Sequence, residues 1–215
     1  MSSHHFVKEG QEPALVFANG QECSHDLVVQ LMEWCPFIVA LDGAYHRLKN
    51  KQITPDVVIG DLDSIGSYEP SKEIRFIQKN SQEKGDLEKA ILFLIDKGYD
   101  TIHVIWATGK RLDHTINNLM LLATYPKIRI VLYDDFSKAY VIPKIFSKVF
   151  NQGAFISLIP LPYCDGITTS NLKFSLKNES LKLGDRSGTS NESASTGEIN
   201  IIYKTGLLAI IESTD

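Results

Sequence analysis

Hydrophobic patterning changes character near residue 137. Before it, short unbroken apolar runs alternate with stretches of helical period. The runs at 14–18 (ALVFA), 37–41 (FIVAL), 57–59 (VVI), 74–77, 101–106 (TIHVIW) and 128–133 predict strands buried on both faces, as in a parallel sheet covered by helices. Between them, Ser24 caps a predicted helix over 26–34 that Pro36 stops, and a shorter helical piece spans 45–51. Leu87, Ala90, Ile91, Leu94 and Ile95 form the apolar face of a helix that starts at Asp86 and closes at Gly98, and another helix runs over 113–124. Strand and helix thus alternate, which predicts an α/β N-terminal domain over 14–137 with a mostly parallel, doubly wound sheet.

Beyond that point only short strands recur, at 139–142, 154–159, 172–176, 199–203 and 207–211, with no helical period between them. They predict a small all-β antiparallel sandwich domain over 138–215. The Ser/Gly/Asn-rich piece 184–197 reads as a hairpin loop or a ligand-lining loop, and 1–13 as a disordered tail.

The 215 residues are enough to bury a substantial core. A net charge of -4 without a basic run excludes nucleic acid as the main partner. Cys23, Cys35 and Cys164 are odd in number and far apart, and read as reduced, buried thiols of a cytoplasmic protein. The N-terminal stretch lacks an apolar signal segment and no apolar run is long enough for a membrane span, so no membrane partner is expected.

The stretch at 54–66 (TPDVVIGDLDSIG) carries the candidate chemistry. Extended backbone after its β-branched run would point Asp61 and Asp63 the same way, with Cα atoms about 6.6 Å apart, a spacing that grips a hard cation. Alternatively Asp63 and Ser64 cap a turn and Asp61 is a solvated acid. Asp42, Asp86 and Asp113 also stand at strand ends or helix starts, and in a parallel sheet such ends share one rim. Converging acids repel unless cations compensate, which argues for metal-bound polyphosphate. Lys89, Lys110 and Arg111 supply positive counterparts in the same segments, and Arg111 can fork onto phosphate oxygens.

These residues fall in blocks that resemble the thiamine pyrophosphokinase family: LDGAYHRL (41–48), PDVVIGDLDSI (55–65), QEKGDLEKAI (82–91), TGKRLDHTINNLMLL (108–122) and, more weakly, NLKFSL (171–176) with GTSNES (188–193). The resemblance implies Mg²⁺-dependent transfer of the β,γ-pyrophosphoryl group of ATP to the thiamine hydroxyl, giving thiamine diphosphate and AMP. It further implies an ATP-binding α/β domain, a thiamine-binding and dimerisation β-sandwich, and a homodimer. By position, Asp61, Asp63 and Asp86 match the metal and catalytic carboxylates. Gln82, Lys89, Arg111 and Asp113 match substrate and phosphate contacts, while Ser190 and Asn191 match the C-terminal Ser-Asn; Asp42 and Asn118 are expected at the substrate site. Asp86 and Asp113 are both candidates to accept the hydroxyl proton. Departures from the family pattern are Gly85 for threonine, Lys110 for glycine, Ala44-Tyr45-His46 for Gly-Ala-Asn, Phe174 for tryptophan and Gly188 for serine. Other readings keep the polyphosphate rim but make the chain a Mg²⁺-dependent nucleotide phosphohydrolase, or a nucleotide- or thiamine-binding module without turnover. His46, His103 and His114 read as structural, Trp34 and Trp106 as core or interface residues.

Overall fold

The computed structural model describes residues 12–61, 74–78 and 83–214. Two compact units divide the chain, one of Met1–Asn118 with Lys127–Asp135, the other of Leu119–Pro126 with Phe136–Asp215.

In the first unit the elements run β1 (Ala14–Phe17), α1 (His25–Trp34), β2 (Phe37–Leu41), α2 (Asp42–Asn50), β3 (Val57–Gly60), β4 (Arg75–Gln78), α3 (Asp86–Asp96), β5 (Thr101–Ile105), α4 (Leu112–Thr124, of which the residues from Leu119 on count with the second unit) and β6 (Arg129–Tyr133). The strands lie in the order β4-β3-β2-β1-β5-β6 and every pairing is parallel. Winding leaves β1 in one direction toward β4 and in the other toward β6, so the topological switch lies between β1 and β5. Leu15, Phe17, Ala40, Val58 and Ile105 share one core cluster with Val28 and Leu31 of α1 and Ala44 and Leu48 of α2. Val16, Val39, Ile59 and Val104 are just as deeply buried, and α3 lies against β2 and β3. Burial of successive residues in these strands is what their unbroken apolar runs predict.

The start of one helix differs from the sequence expectation. Helix α2 begins at Asp42, directly after β2, with Leu41 as an N-cap that makes no side-chain bond. Trp34 is 69% exposed at the end of α1, whereas Trp106 is fully buried. The predicted cap of α1 is present: Ser24 Oγ accepts the Leu27 N–H at 3.5 Å, while Asp135 accepts the Ser24 N–H at 2.8 Å.

The second unit contains β7 (Ser137–Val141), β8 (Ile145–Phe150), β9 (Phe155–Ser170), β10 (Lys177–Lys182), β11 (Gly188–Glu192), β12 (Gly197–Ile202) and β13 (Thr205–Ser213). All its pairings are antiparallel, in the order β7-β13-β9-β12-β8, with β10 and β11 also paired to the 16-residue β9. Alternate residues such as Ile156, Leu158, Ile199, Ile201, Leu208 and Ile210 are buried. Residues 172–176, expected as a strand, carry only one isolated bridge, Leu172 to Ser193. Conversely, β11 occupies much of the predicted loop 184–197, and β8 and β10 lie outside the predicted strands.

Candidate functional site

A cleft of about 910 Å³ opens at the carboxyl ends of the first unit's strands. Asn19 and Gly20 enter it after β1, Asp42 after β2, Asp61 after β3, and residues 107–111 after β5. The starts of α3 and α4 bring in Asp86 and Asp113. Four predicted acids therefore meet in one cleft, together with Lys89, Arg111 and Asn118. Asp63 and Gln82 lie outside the described residues.

Asp42 is the most deeply set of these acids, 7% exposed, and its carboxylate accepts the Gly43 N–H. It also shares a hydrogen bond with the Asp61 side chain. Burial, that bond, and the negative charges of Asp86 and Asp61 push its carboxyl up to about 6. Gly60 makes this placement feasible: a Cβ there would stand 2.5 Å from the Asp42 Cγ. The glycine therefore serves close approach of the acid. Two carboxyls in contact, with a third acid near enough to raise Asp42, need a shared proton or a cation. An all-oxygen donor set of this kind suits a hard cation held by one or two carboxylates that keeps part of its water shell.

The cations differ in their engagement. Lys89, one turn into α3, gives its ammonium to Asp86 at 2.8 Å and is only 10% exposed. Arg111 forks onto Asp113, through Nε to Oδ1 at 3.1 Å and through Nη2 to Oδ2. That bond, aided by the His114 N–H, holds the Asp113 carboxyl down to about 2 although both side chains are exposed. Asn118 donates to the Ala107 carbonyl at 2.8 Å and so ties α4 to the loop after β5.

Ser190 and Asn191 belong to the second unit. Asn191 is 4% exposed; its amide oxygen accepts from the Phe174 and Glu192 N–H groups and its NH₂ donates to the Phe174 carbonyl at 2.8 Å. Ser190 takes a left-handed backbone, φ 56°, and donates its N–H to Ser157 Oγ.

Sequence reasoning missed Arg47 and Asn19. From α2, Arg47 donates to the carbonyls of Gly20 at 3.0 Å and Ala18 at 3.3 Å, and to Asn19 Oδ1 at 3.0 Å. Its guanidinium carbon sits 4.6 Å from the centroid of the Trp106 ring, and Gly20 donates its N–H to the Trp106 carbonyl. Arg47 thus clasps the two loops on either side of the topological switch. A usable signal existed: Asn19-Gly20 ends a buried strand on the same rim as the acids, and Arg47 lies in the block 41–48.

Two family models match the chain: "Thiamin pyrophosphokinase, catalytic domain" over residues 28–132 and "Thiamin pyrophosphokinase, vitamin B1 binding domain" over 142–208. Among curated relatives, thiamine pyrophosphokinase 2 of Arabidopsis thaliana is 32% identical over 157 residues, 64% of this chain and 58% of the relative. Thiamine pyrophosphokinase 1 of Oryza sativa subsp. japonica is 30% identical, covering 64% of this chain and 58% of its own length. The chain thus spans a little under three-fifths of the length of these plant relatives, whereas the match to the thiamine pyrophosphokinase of Bacillus subtilis, 26% identical, covers 82% of this chain and 87% of the relative. The crystal structure of a thiamine pyrophosphokinase from Bacillus subtilis superposes with a TM-score of 0.78 at 25% identity, covering 94% of this chain and 99% of the other. The yeast thiamin pyrophosphokinase structure, 16% identical, shares the fold with a TM-score of 0.80 over 96% of this chain and 88% of its own. With both halves matched in order and the site acids gathered at the switch point, the chain belongs to the thiamine pyrophosphokinase family.

Proposed function

We propose that this chain transfers the β,γ-pyrophosphoryl group of ATP to the hydroxyl of thiamine, releasing AMP. The observation that carries this reading is the pair Asp42 and Asp61 gathered with Asp86, Lys89, Lys110 and Arg111 in one cleft. Mg²⁺ is the cation whose chemistry fits these oxygens; among the described residues the pair Asp42 and Asp61 would hold it, with Asp86 proposed as a further ligand on the block match, and it would neutralise charge on the phosphates. Asp63 is proposed as a further metal and catalytic carboxylate, and Gln82 as a substrate contact, on the block match alone.

In the reaction the thiamine hydroxyl oxygen forms a bond to the β-phosphorus while the bond from that phosphorus to the α,β-bridging oxygen breaks. The bridging oxygen leaves with AMP. Arg111 and Lys89 orient the phosphate oxygens, and Asn118 fixes the loop that carries Arg111. Asp86, paired with Lys89, and Asp113, paired with Arg111 until that guanidinium turns to phosphate, are both candidates to take the hydroxyl proton as the bond forms. Thiamine is assigned to the second unit on the description of the matching domain, with Ser190 and Asn191 as its candidate contacts.

A homodimer is part of the proposal. Leu112, Ile116 and Met120 stand four residues apart on α4 and remain 72%, 51% and 39% exposed, an apolar stripe that a second copy would cover. Among the described residues no helix is long and apolar enough to cross a membrane. The three unpaired thiols support a cytoplasmic setting.

The test is AMP release from ATP and Mg²⁺ with and without thiamine, the product identified by mass. Thiamine-dependent AMP with thiamine diphosphate supports transfer. AMP or ADP independent of thiamine would instead mean hydrolysis, and binding without product would mean a module without turnover.

A further inference from the structure

The cations lining the cleft are mostly spoken for: Lys89 by Asp86, Lys84 by Glu88 and Arg111 by Asp113. Lys110 is different. It lines the same cleft and is exposed, yet among the described residues it makes no hydrogen bond or ion pair. Its backbone is also costly, with φ 55° directly after Gly109 at φ 73°. Gly109 has a packing reason for its identity, since a Cβ there would lie 2.5 Å from the Gln21 Cβ. Lysine has none of the local hydrogen bonding that lets asparagine tolerate the left-handed region, and glycine would take the same backbone freely. A residue that strains the chain at a binding loop is retained most readily for what its side chain does there.

We propose that Lys110 is a polyphosphate-binding residue of this chain, its ammonium meeting the phosphate oxygens of the nucleotide that the proposed transfer reaction uses. The neighbouring Arg111 must loosen its fork on Asp113 before it can serve a phosphate, whereas Lys110 offers an uncommitted charge on the same loop. Lys110 contributes to binding the phosphates in ground and transition state alike, so its removal acts on KM more than on kcat.

The test compares wild type with Lys110→Gly and Lys110→Met by ATP titration of thiamine-dependent AMP release. Inorganic tripolyphosphate serves as competing ligand, and thermal unfolding is measured on all three. Both variants are expected to raise KM for ATP about fivefold to tenfold, the size of one exposed charge-assisted contact, and to weaken tripolyphosphate by the same factor. Lys110→Gly should melt at or above the wild-type temperature, because it relieves the backbone while losing the ligand contact. A KM within twofold of wild type in either variant overturns the proposal, as does a loss for ATP without a matching loss for tripolyphosphate. A lower melting temperature for Lys110→Gly overturns the strain argument. Should the wild type release no thiamine-dependent AMP, the transfer reading fails on its own. Lys110 is then judged by calorimetric binding of tripolyphosphate to the same three proteins, where equal affinities overturn it.

Discussion

Replacing Arg47 by methionine should destabilise the first unit by about 2–3 kcal/mol. Methionine keeps much of the aliphatic packing, so the loss is confined to the guanidinium. Three hydrogen bonds disappear, to Gly20 O at 3.0 Å, Ala18 O at 3.3 Å and Asn19 Oδ1 at 3.0 Å, together worth about 3 kcal/mol at the central net value for an intramolecular hydrogen bond. Contact with the Trp106 ring at 4.6 Å adds about 1 kcal/mol. Against this stands the desolvation of a side chain only 19% exposed, whose Nε is buried without a partner among the described residues and whose pKa burial lowers; relief of that cost returns about 1–2 kcal/mol. The ion pair to Glu22, 3.7 Å and partly exposed, adds little. The remainder corresponds to a fall in melting temperature of about 5–10 °C for a unit of this size. Circular dichroism would follow unfolding, and fluorescence in a Trp34→Phe background would report Trp106 alone, since the chain has two tryptophans. Arg47→Lys, which keeps the charge but not the fork, should recover less than half of the loss. A loss below about 1 kcal/mol in Arg47→Met, or full recovery in Arg47→Lys, would refute the clasp as worked out above.

Asp42→Asn should stabilise the fold by about 1–2 kcal/mol while lowering thiamine-dependent turnover roughly 100-fold, because an acid raised from its ordinary 3.8 to about 6 is ionised at a cost in the folded protein at pH 7; a less stable variant sinks the idea. His103 is held down to about 4 by burial and then by Arg129, so between pH 6.5 and 4 the unfolded chain binds a proton that the folded one refuses. Its contribution is fully present above 6.5 and is lost as pH falls through 4, worth about 1–2 kcal/mol after allowance for partial exposure; His103→Gln should flatten the melting curve against pH there, and parallel curves would contradict it. In the second unit Glu212 accepts from Lys148 at 2.6 Å and from the Tyr140 hydroxyl at 2.6 Å, with Lys138 at 3.2 Å. Burial raises its carboxyl, the bonds from Lys148 and Tyr140 with the charges of Lys138 and Lys148 together lower it more, and Glu212→Gln should lower the urea midpoint at unchanged slope, a loss of about 2 kcal/mol in unfolding free energy; a loss under about 0.5 kcal/mol would show the network idle.

The parallel sheet is readable because strands buried on both faces leave unbroken apolar runs, and the helices between them carry one apolar face each. The early start of α2 is not, because Asp42-Gly43 has the composition of a turn, while in the fold the Asp42 side chain serves the cleft and leaves Leu41 to begin the helix. In the second unit the missed strands β8, β10 and β11 are held by backbone pairing, with mostly exposed or half-buried side chains such as Lys177, Asn178 and Thr189. Hydrophobic alternation has little to report there. Residues 172–176 mislead in the opposite sense: their apolar side chains suggest a strand, but Phe174 spends its backbone N–H and C=O on the Asn191 amide and not on a ladder.

Residue type is a good guide to where charge gathers and a poor guide to what each charge is doing. Asp42, Asp61, Asp86 and Asp113 could be collected from sequence because a parallel sheet delivers its strand ends and helix starts to one rim. Their division of labour needed distances. Asp42 and Asp61 share a bond that calls for a proton or cation, Asp86 is balanced by Lys89, and Asp113 is neutralised by Arg111 before any substrate arrives. The same accounting applies to the basic residues, which look equivalent as letters. Lys89 and Arg111 must exchange a carboxylate for a phosphate and so gain only the difference, whereas an unpaired lysine gains the whole contact. A cleft whose ion pairs are largely closed before ligand binds is stable without its substrate, and it leaves specificity to the few groups that stay uncommitted.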